Sequence, residues 1–225
     1  MGAPVDELLD VLDDNGNPTE ERKPRSAVHR DGDWHRAFHL WVVREGHLIV
    51  LQRRAEVKDL EPLRLDVTVG GHYRAGEMFV DVLREAEEEI GLVLRPGQVA
   101  FLGTVRSERH YPELDPPRVD REFQEIYATH DDRPLSAYVQ EPEEVDTLYE
   151  VPLDGAIALY REGRHVAAAG FDAMRRVSNA LLVEDDVIAQ GRSLTAQALE
   201  RVQRWANGED ADALAELPFE GPPVR

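Results

Sequence analysis

The chain has no cysteine among its 225 residues. Disulfides, thiolate metal sites and thiol nucleophiles are therefore excluded, and its chemistry must rest on oxygen and nitrogen groups. Positive charge is also scarce: 26 Lys and Arg stand against 45 Asp and Glu, a formal net charge of −19. Polymeric nucleic acid and anionic membranes both demand a basic face, so neither fits as the main partner. A small phosphorylated ligand does fit, because a bound cation and a few local arginines can dominate a pocket. No signal-like apolar segment follows the N-terminus and no apolar run approaches transmembrane length. The expected location is the cytoplasm.

What is present is a globular composition, 42% hydrophobic, in a chain long enough for one substantial core and an appendage. Residues 1–26, with Asn15-Gly16 as a turn signal, predict an N-terminal strand or hairpin extension. Residues 27–163 interleave short strands with helices: strands near 34–43, 47–54, 65–69, 98–107, 121–129 and 145–151, and helices over 79–90 and 153–162. Asp131 to Glu144 is polar, carries two prolines and reads as a loop. Residues 164–225 predict a C-terminal helical appendage, with apolar spacing over 172–182 and 194–205, followed by a loose acidic tail from Glu209. Short strands around a central helix imply the α/β class.

The stretch from Gly70 to Leu92 organises the rest. Two glycines, Gly70 and Gly71, allow a tight turn or a close backbone approach to a ligand. A helix then places Glu85, Glu88 and Glu89 on one face and Val82, Leu83, Ala86 and Ile90 on another. Three carboxylates at that spacing repel one another, and a hard divalent cation such as Mg²⁺ or Mn²⁺ would remove the repulsion. A solvated glutamate-rich face is the alternative. Gly91 reads as the helix stop.

These residues also resemble the signature of the Nudix hydrolases: Gly71, five residues, Glu77, six residues, then Arg84-Glu85-Ala86-Glu87-Glu88-Glu89-Ile90-Gly91-Leu92. The spacer before Arg84 is one residue short of the family's, which bears on the placement of Glu77 and not on the carboxylate face. The resemblance implies an α/β/α sandwich around a curved mixed sheet. It implies hydrolysis of an organic diphosphate by water attack at phosphorus, with Mg²⁺ or Mn²⁺ as cofactor, and allows a homodimer. Glu85, Glu88 and Glu89 would bind metal, aided by a backbone carbonyl at Gly70 or Gly71, and Arg84 would hold the glutamates, paired with Glu77. Glu122 and Glu125 lie three apart on a predicted strand, so only one faces the site. Glu125 is the choice for general base, with Glu143 and Glu144 as alternatives.

A second likeness is to the isopentenyl diphosphate isomerase branch of the same superfamily. It is carried by His35-Arg36-Ala37-Phe38 with upstream His29, by Arg53-Arg54-Ala55 with Lys58, and by Gly71-His72. It implies a second metal site of His29, His35 and His72 with Glu125, binding Mn²⁺, Zn²⁺ or Mg²⁺, and diphosphate contacts from Arg53, Arg54 and Lys58. Structural histidines and solvated strand-end charges are the alternatives. The isomerases carry a cysteine before that Gly-His, where this chain has Gly70, so isomerisation lacks a proton-shuttle member. A non-catalytic diphosphate-binding module is the third reading. The His29-Arg30-Asp31-Gly32-Asp33 stretch further resembles a plant family with an isomerase-like Nudix domain. The substrate does not follow from any of these likenesses.

Overall fold

The structure, a computed structural model, describes residues 6–220. Strands β1 (Leu8–Leu12) and β2 (Pro18–Pro24) form the expected N-terminal hairpin, and α1 (Arg25–Asp31) follows. Long β3 (Trp34–Arg44) pairs antiparallel with β4 (Leu48–Arg54) and parallel with β8 (Arg118–His130). Between them come β5 (Leu65–Asp66), β6 (Val69–His72), α2 (Phe79–Val82), α3 (Arg84–Ile90) and β7 (Ala100–Tyr111). The chain continues through β9 (Val145–Pro152), α4 (Leu153–Glu162), β10 (Val166–Asp172), β11 (Val177–Leu182), α5 (Arg192–Ala206) and α6 (Ala211–Ala215). One mixed sheet runs β11-β10-β9-β4-β3-β1-β2, with β8 and β6 also on β3, β7 on β8 and β5 on β4.

Strand alternation divides the core. Phe38, Leu40 and Val42 of β3 pack with Val82, Ala86 and Ile90 of α2 and α3 on one face. Trp41 and Val43 pack on the other with Leu159 of α4 and Leu194, Leu199 and Val202 of α5. Helices thus cover both faces, as expected for the sandwich. No helix among the described residues is long and apolar enough to cross a membrane.

Four expectations are corrected. The strand at 65–69 is two short strands, so Gly70 and Gly71 lie inside β6 and not in a turn. The helix at 79–90 is interrupted at Leu83. Residues 172–182 are not helical: β10 pairs with β9 and β11 with β10, extending the main sheet. The apolar spacing that suggested a helix there is not a buried stripe, because Met174, Val177 and Leu181 are exposed. The tail from Glu209 is ordered as far as it is described. Asp210 caps α6 by accepting the Ala213 N–H at 3.0 Å, and the buried Arg201 guanidinium donates to the Leu217 and Pro218 carbonyls at 2.6 and 2.7 Å. Helix α1 was not anticipated, and residue Val5 lies outside the described residues.

Candidate active site and buried histidine cluster

Strand β6 is the wall between two clusters of functional groups. Gly71 pairs with Phe38 and His72 with Ala37, so consecutive residues of β6 address opposite faces of the sheet.

On the Gly71 side lies the face of α3. Glu85 and Glu89 are buried and Glu88 is half exposed. A Cβ at Gly71 would come within 2.4 Å of the Glu85 Cδ, so only glycine lets that carboxylate rest against the strand. Burial pushes Glu85 up to about 7, against the opposing effect of Arg84, whose Nη1 is 2.5 Å away. Burial also pushes Glu89 well up, reinforced by Glu85 and Glu144. Three crowded carboxylates, two of them resisting ionisation, form an oxygen donor set suited to a hard divalent cation.

Arg84 organises this face. It clasps Glu77 through Nε and Nη2 at 2.8 and 3.1 Å, reaches Glu88 at 3.0 Å, and donates to the His72 carbonyl at 3.3 Å. The shortened spacer therefore leaves Glu77 within reach of Arg84. Helix α3 stops at Gly91, whose φ of 66° is left-handed and whose N–H donates to the Glu87 carbonyl, while the Leu92 N–H donates to the Ala86 carbonyl.

The carboxylate face opens onto a cleft of about 750 Å³ that Arg25, Arg54, Lys58, Arg74 and Glu144 also line. Arg54 is held by Asp66 at 2.9 Å, and Lys58 is ion-paired with Glu144. Arg53 does not line this cleft. It is the preceding residue of the same strand and so turns to the opposite face, 3.7 Å from Asp186 and above the Tyr149 ring. Glu125 is also absent from the cleft lining. Arg36 donates to it at 2.7 Å, and Tyr73 and Tyr127 direct their hydroxyls to it, Tyr127 at 2.8 Å. Glu143 is exposed.

On the His72 side, His29, His35 and His72 bring their ring centroids to within 4.9–5.5 Å of one another. Their carboxylate neighbours are Asp120 and Glu122, not Glu125. His72 Nε2 lies 3.3 Å from Glu122, and the Nε2 atoms of His29 and His35 each lie 3.7 Å from Asp120. Arg109 bridges the pair, at 3.1 Å from Asp120 and 2.7 Å from Glu122. Burial and the other imidazoles lower His29 to about 2, and burial with His35 lowers His72 to about 3 despite Glu122. Both rings are neutral and offer lone pairs. Burial and Glu122 push Asp120 up, whereas Arg109 and His72 outweigh burial at Glu122 and hold it down. The Nε2 atoms of His29 and His35 and Oδ1 of Asp120 are buried without a hydrogen-bond partner. Orphaned buried polar atoms converging on one point fit a metal ion better than a packed core.

Asp120, Arg109 and Arg25 escaped sequence reasoning, and Glu122 was weighed only as a general base and set aside for Glu125. Asp120 and Glu122 alternate on β8, and Glu122 lies directly beside His35 in the parallel β3–β8 register. The two-residue alternation was visible, but the register was not. Arg109 carries no local signal. Arg25 arrives on the unanticipated α1 and lines both the cleft and a small cavity beside the histidines.

The NUDIX domain family matches residues 33–170. An uncharacterized Nudix hydrolase of Clostridium acetobutylicum is 34% identical over 152 residues, 66% of this chain and 71% of that protein. Nudix hydrolase 3 of Arabidopsis thaliana is 35% identical over 154 residues, 67% of this chain but only 20% of that longer protein. An isopentenyl-diphosphate Delta-isomerase of Streptomyces avermitilis is 31% identical over 135 residues, 60% of this chain and 66% of the isomerase. A crystal structure from Deinococcus radiodurans shares the fold, with a TM-score of 0.54 at 20% identity over 70% of this chain and 91% of that one. With the domain match covering more than half of its length, the chain belongs to the Nudix family of pyrophosphate-bond hydrolases.

Proposed function

We propose that this chain hydrolyses an organic diphosphate with the help of Mg²⁺ or Mn²⁺ bound at Glu85, Glu88 and Glu89. The observation that carries this reading is the stacking of the Glu85 carboxylate on Gly71, beside buried Glu89, at the mouth of a mainly acidic cleft that Arg25, Arg54, Lys58 and Arg74 also line. The bound cation would neutralise charge on the diphosphate oxygens and acidify a water. Arg54 and Lys58 would hold the phosphates, with Arg25 and Arg74 at the same cleft, while Arg53 faces away. Arg84 acts as a positioning residue.

For the general base, Glu144 is favoured over Glu125. Glu144 lines the cleft next to Glu89, whereas Glu125 is engaged by Arg36 and two tyrosines. A second metal site at His29, His35, His72, Asp120 and Glu122 is supported by the orphaned Nε2 atoms, and its imidazoles favour Mn²⁺ or Zn²⁺. Isomerisation is disfavoured, since Gly70 supplies no thiol.

The test is turnover of a panel of nucleotides, nucleotide sugars, dinucleotides, and prenyl and thiamine diphosphates, with Mg²⁺ and then Mn²⁺. Glu88→Gln with Glu89→Gln should abolish turnover. Full activity in that variant would move the chemistry off α3.

A further inference from the structure

The two ends of the sheet are finished differently. At one end β2 reads Pro18-Thr19-Glu20-Glu21-Arg22-Lys23-Pro24, with proline at both termini and four charged residues between. Such an edge resists pairing with another strand. At the other end β11 reads Val177-Ser178-Asn179-Ala180-Leu181-Leu182, with neither charge nor proline. One edge of β11 is taken by β10, and no described strand takes the other. Val177 is 78% and Leu181 62% exposed, on the same face of the strand, and Met174 in the preceding turn is 75% exposed. An open, neutral, partly apolar edge is costly to leave bare in water.

The charges flanking β11 specify what pairs with it. Arg175 and Arg176 precede the strand, and Glu184, Asp185 and Asp186 follow it. Asp185 is exposed and makes no ion pair among the described residues, and Arg176 is 71% exposed although it reaches Asp172. An element basic at its start and acidic at its end is complementary to its own antiparallel copy. A two-fold axis through Ala180 sets Asn179 opposite Leu181 and brings the basic turn before each strand, Arg175 and Arg176, toward the acidic turn after the other. There Glu184 is already paired with Arg192, and Asp185 supplies the carboxylate left unpaired among the described residues.

We propose that β11 is a self-association edge, joining two copies of this chain antiparallel so that their sheets run on continuously. A single strand pair is a small interface, so the dimer dissociates in the micromolar range, with a Kd on the order of 10 µM. The edge lies outside both the cleft and the histidine cluster, so the proposal stands independently of the catalytic reading.

The test is sedimentation velocity of the full chain across the micromolar range. The expected result is a monomer–dimer equilibrium that Val177→Lys with Leu181→Lys abolishes. Both positions are exposed, so the fold, followed by circular dichroism, stays unchanged. Arg175→Glu and Asp185→Arg should each raise the dissociation constant about tenfold, and the two together should restore it. A chain that stays monomeric throughout, or a dimer indifferent to the two lysines, overturns the proposal. Charge reversals that weaken the dimer singly but do not rescue each other overturn the two-fold geometry.

Discussion

The Glu85 carboxylate rests directly on Gly71, in the space that a Cβ would occupy 2.4 Å from Cδ. Gly71→Ala must therefore displace Glu85 or the strand by a substantial fraction of an ångström. A misplacement of that size at a metal-binding carboxylate costs turnover on the order of 10²-fold. Steady-state kinetics should show this loss in a protein whose thermal midpoint changes far less than its activity.

Arg84 spreads its donors over Glu77, Glu88 and the His72 carbonyl. Lysine keeps the charge but cannot make the paired bonds to Glu77. Arg84→Lys is expected to cost about 1.5–3 kcal/mol, the usual worth of a hydrogen bond to a charged group, read from the urea midpoint. Turnover should fall with it, through loosened glutamates.

The carboxylate face was legible in the sequence because one helix fixes it: spacing alone places Glu85, Glu88 and Glu89 together. The histidine cluster was half legible. His29, His35 and His72 could be grouped by likeness, but their acidic neighbours come from β8, and choosing Glu122 over Glu125 requires the β3–β8 register. That register is a long-range property that no local pattern encodes. The hairpin at 166–182 was missed for a related reason, since three- and four-residue apolar spacing does not tell a helix from a strand that pairs with distant β9.

Metal removal separates the two clusters. In calorimetric titration with Mn²⁺, the chelated protein should show two classes of site. His35→Gln should eliminate one, and Glu89→Gln should weaken the other. Stripping metal should also lower the melting temperature, because the crowded carboxylates then lose their counter-charge. A single class of site unaffected by His35→Gln would dismiss the histidine cluster as a metal site.

Acid stability should reflect Asp59. Burial raises its pKa, but Arg25 at 3.5 Å and the Arg118 ion pair outweigh that and hold it at about 2. A carboxyl depressed on folding contributes stability that is present above its unfolded pKa and lost as pH falls through the folded one. Asp59→Asn should therefore destabilise the protein at neutral pH, with the difference from the parent shrinking between about pH 4 and pH 2. Urea titrations at several pH values would show it.

Arg201 is buried and donates to three carbonyls, those of Leu102, Leu217 and Pro218, with the Phe219 ring stacked on it at 3.4 Å. Arg201→Met retains the bulk but strands those acceptors, at a cost of about 3 kcal/mol. Limited proteolysis should then cut first within 207–220, while the fold around α3 persists.

The wall formed by β6 has a property beyond its chemistry. Glycine and imidazole are neighbours in one strand, and a strand can shift only in whole residues. A slip of one position would present His72 to the carboxylates and Gly71 to the histidines, undoing both centres at once. The wall therefore has no intermediate setting, and a single register keeps both chambers in order together.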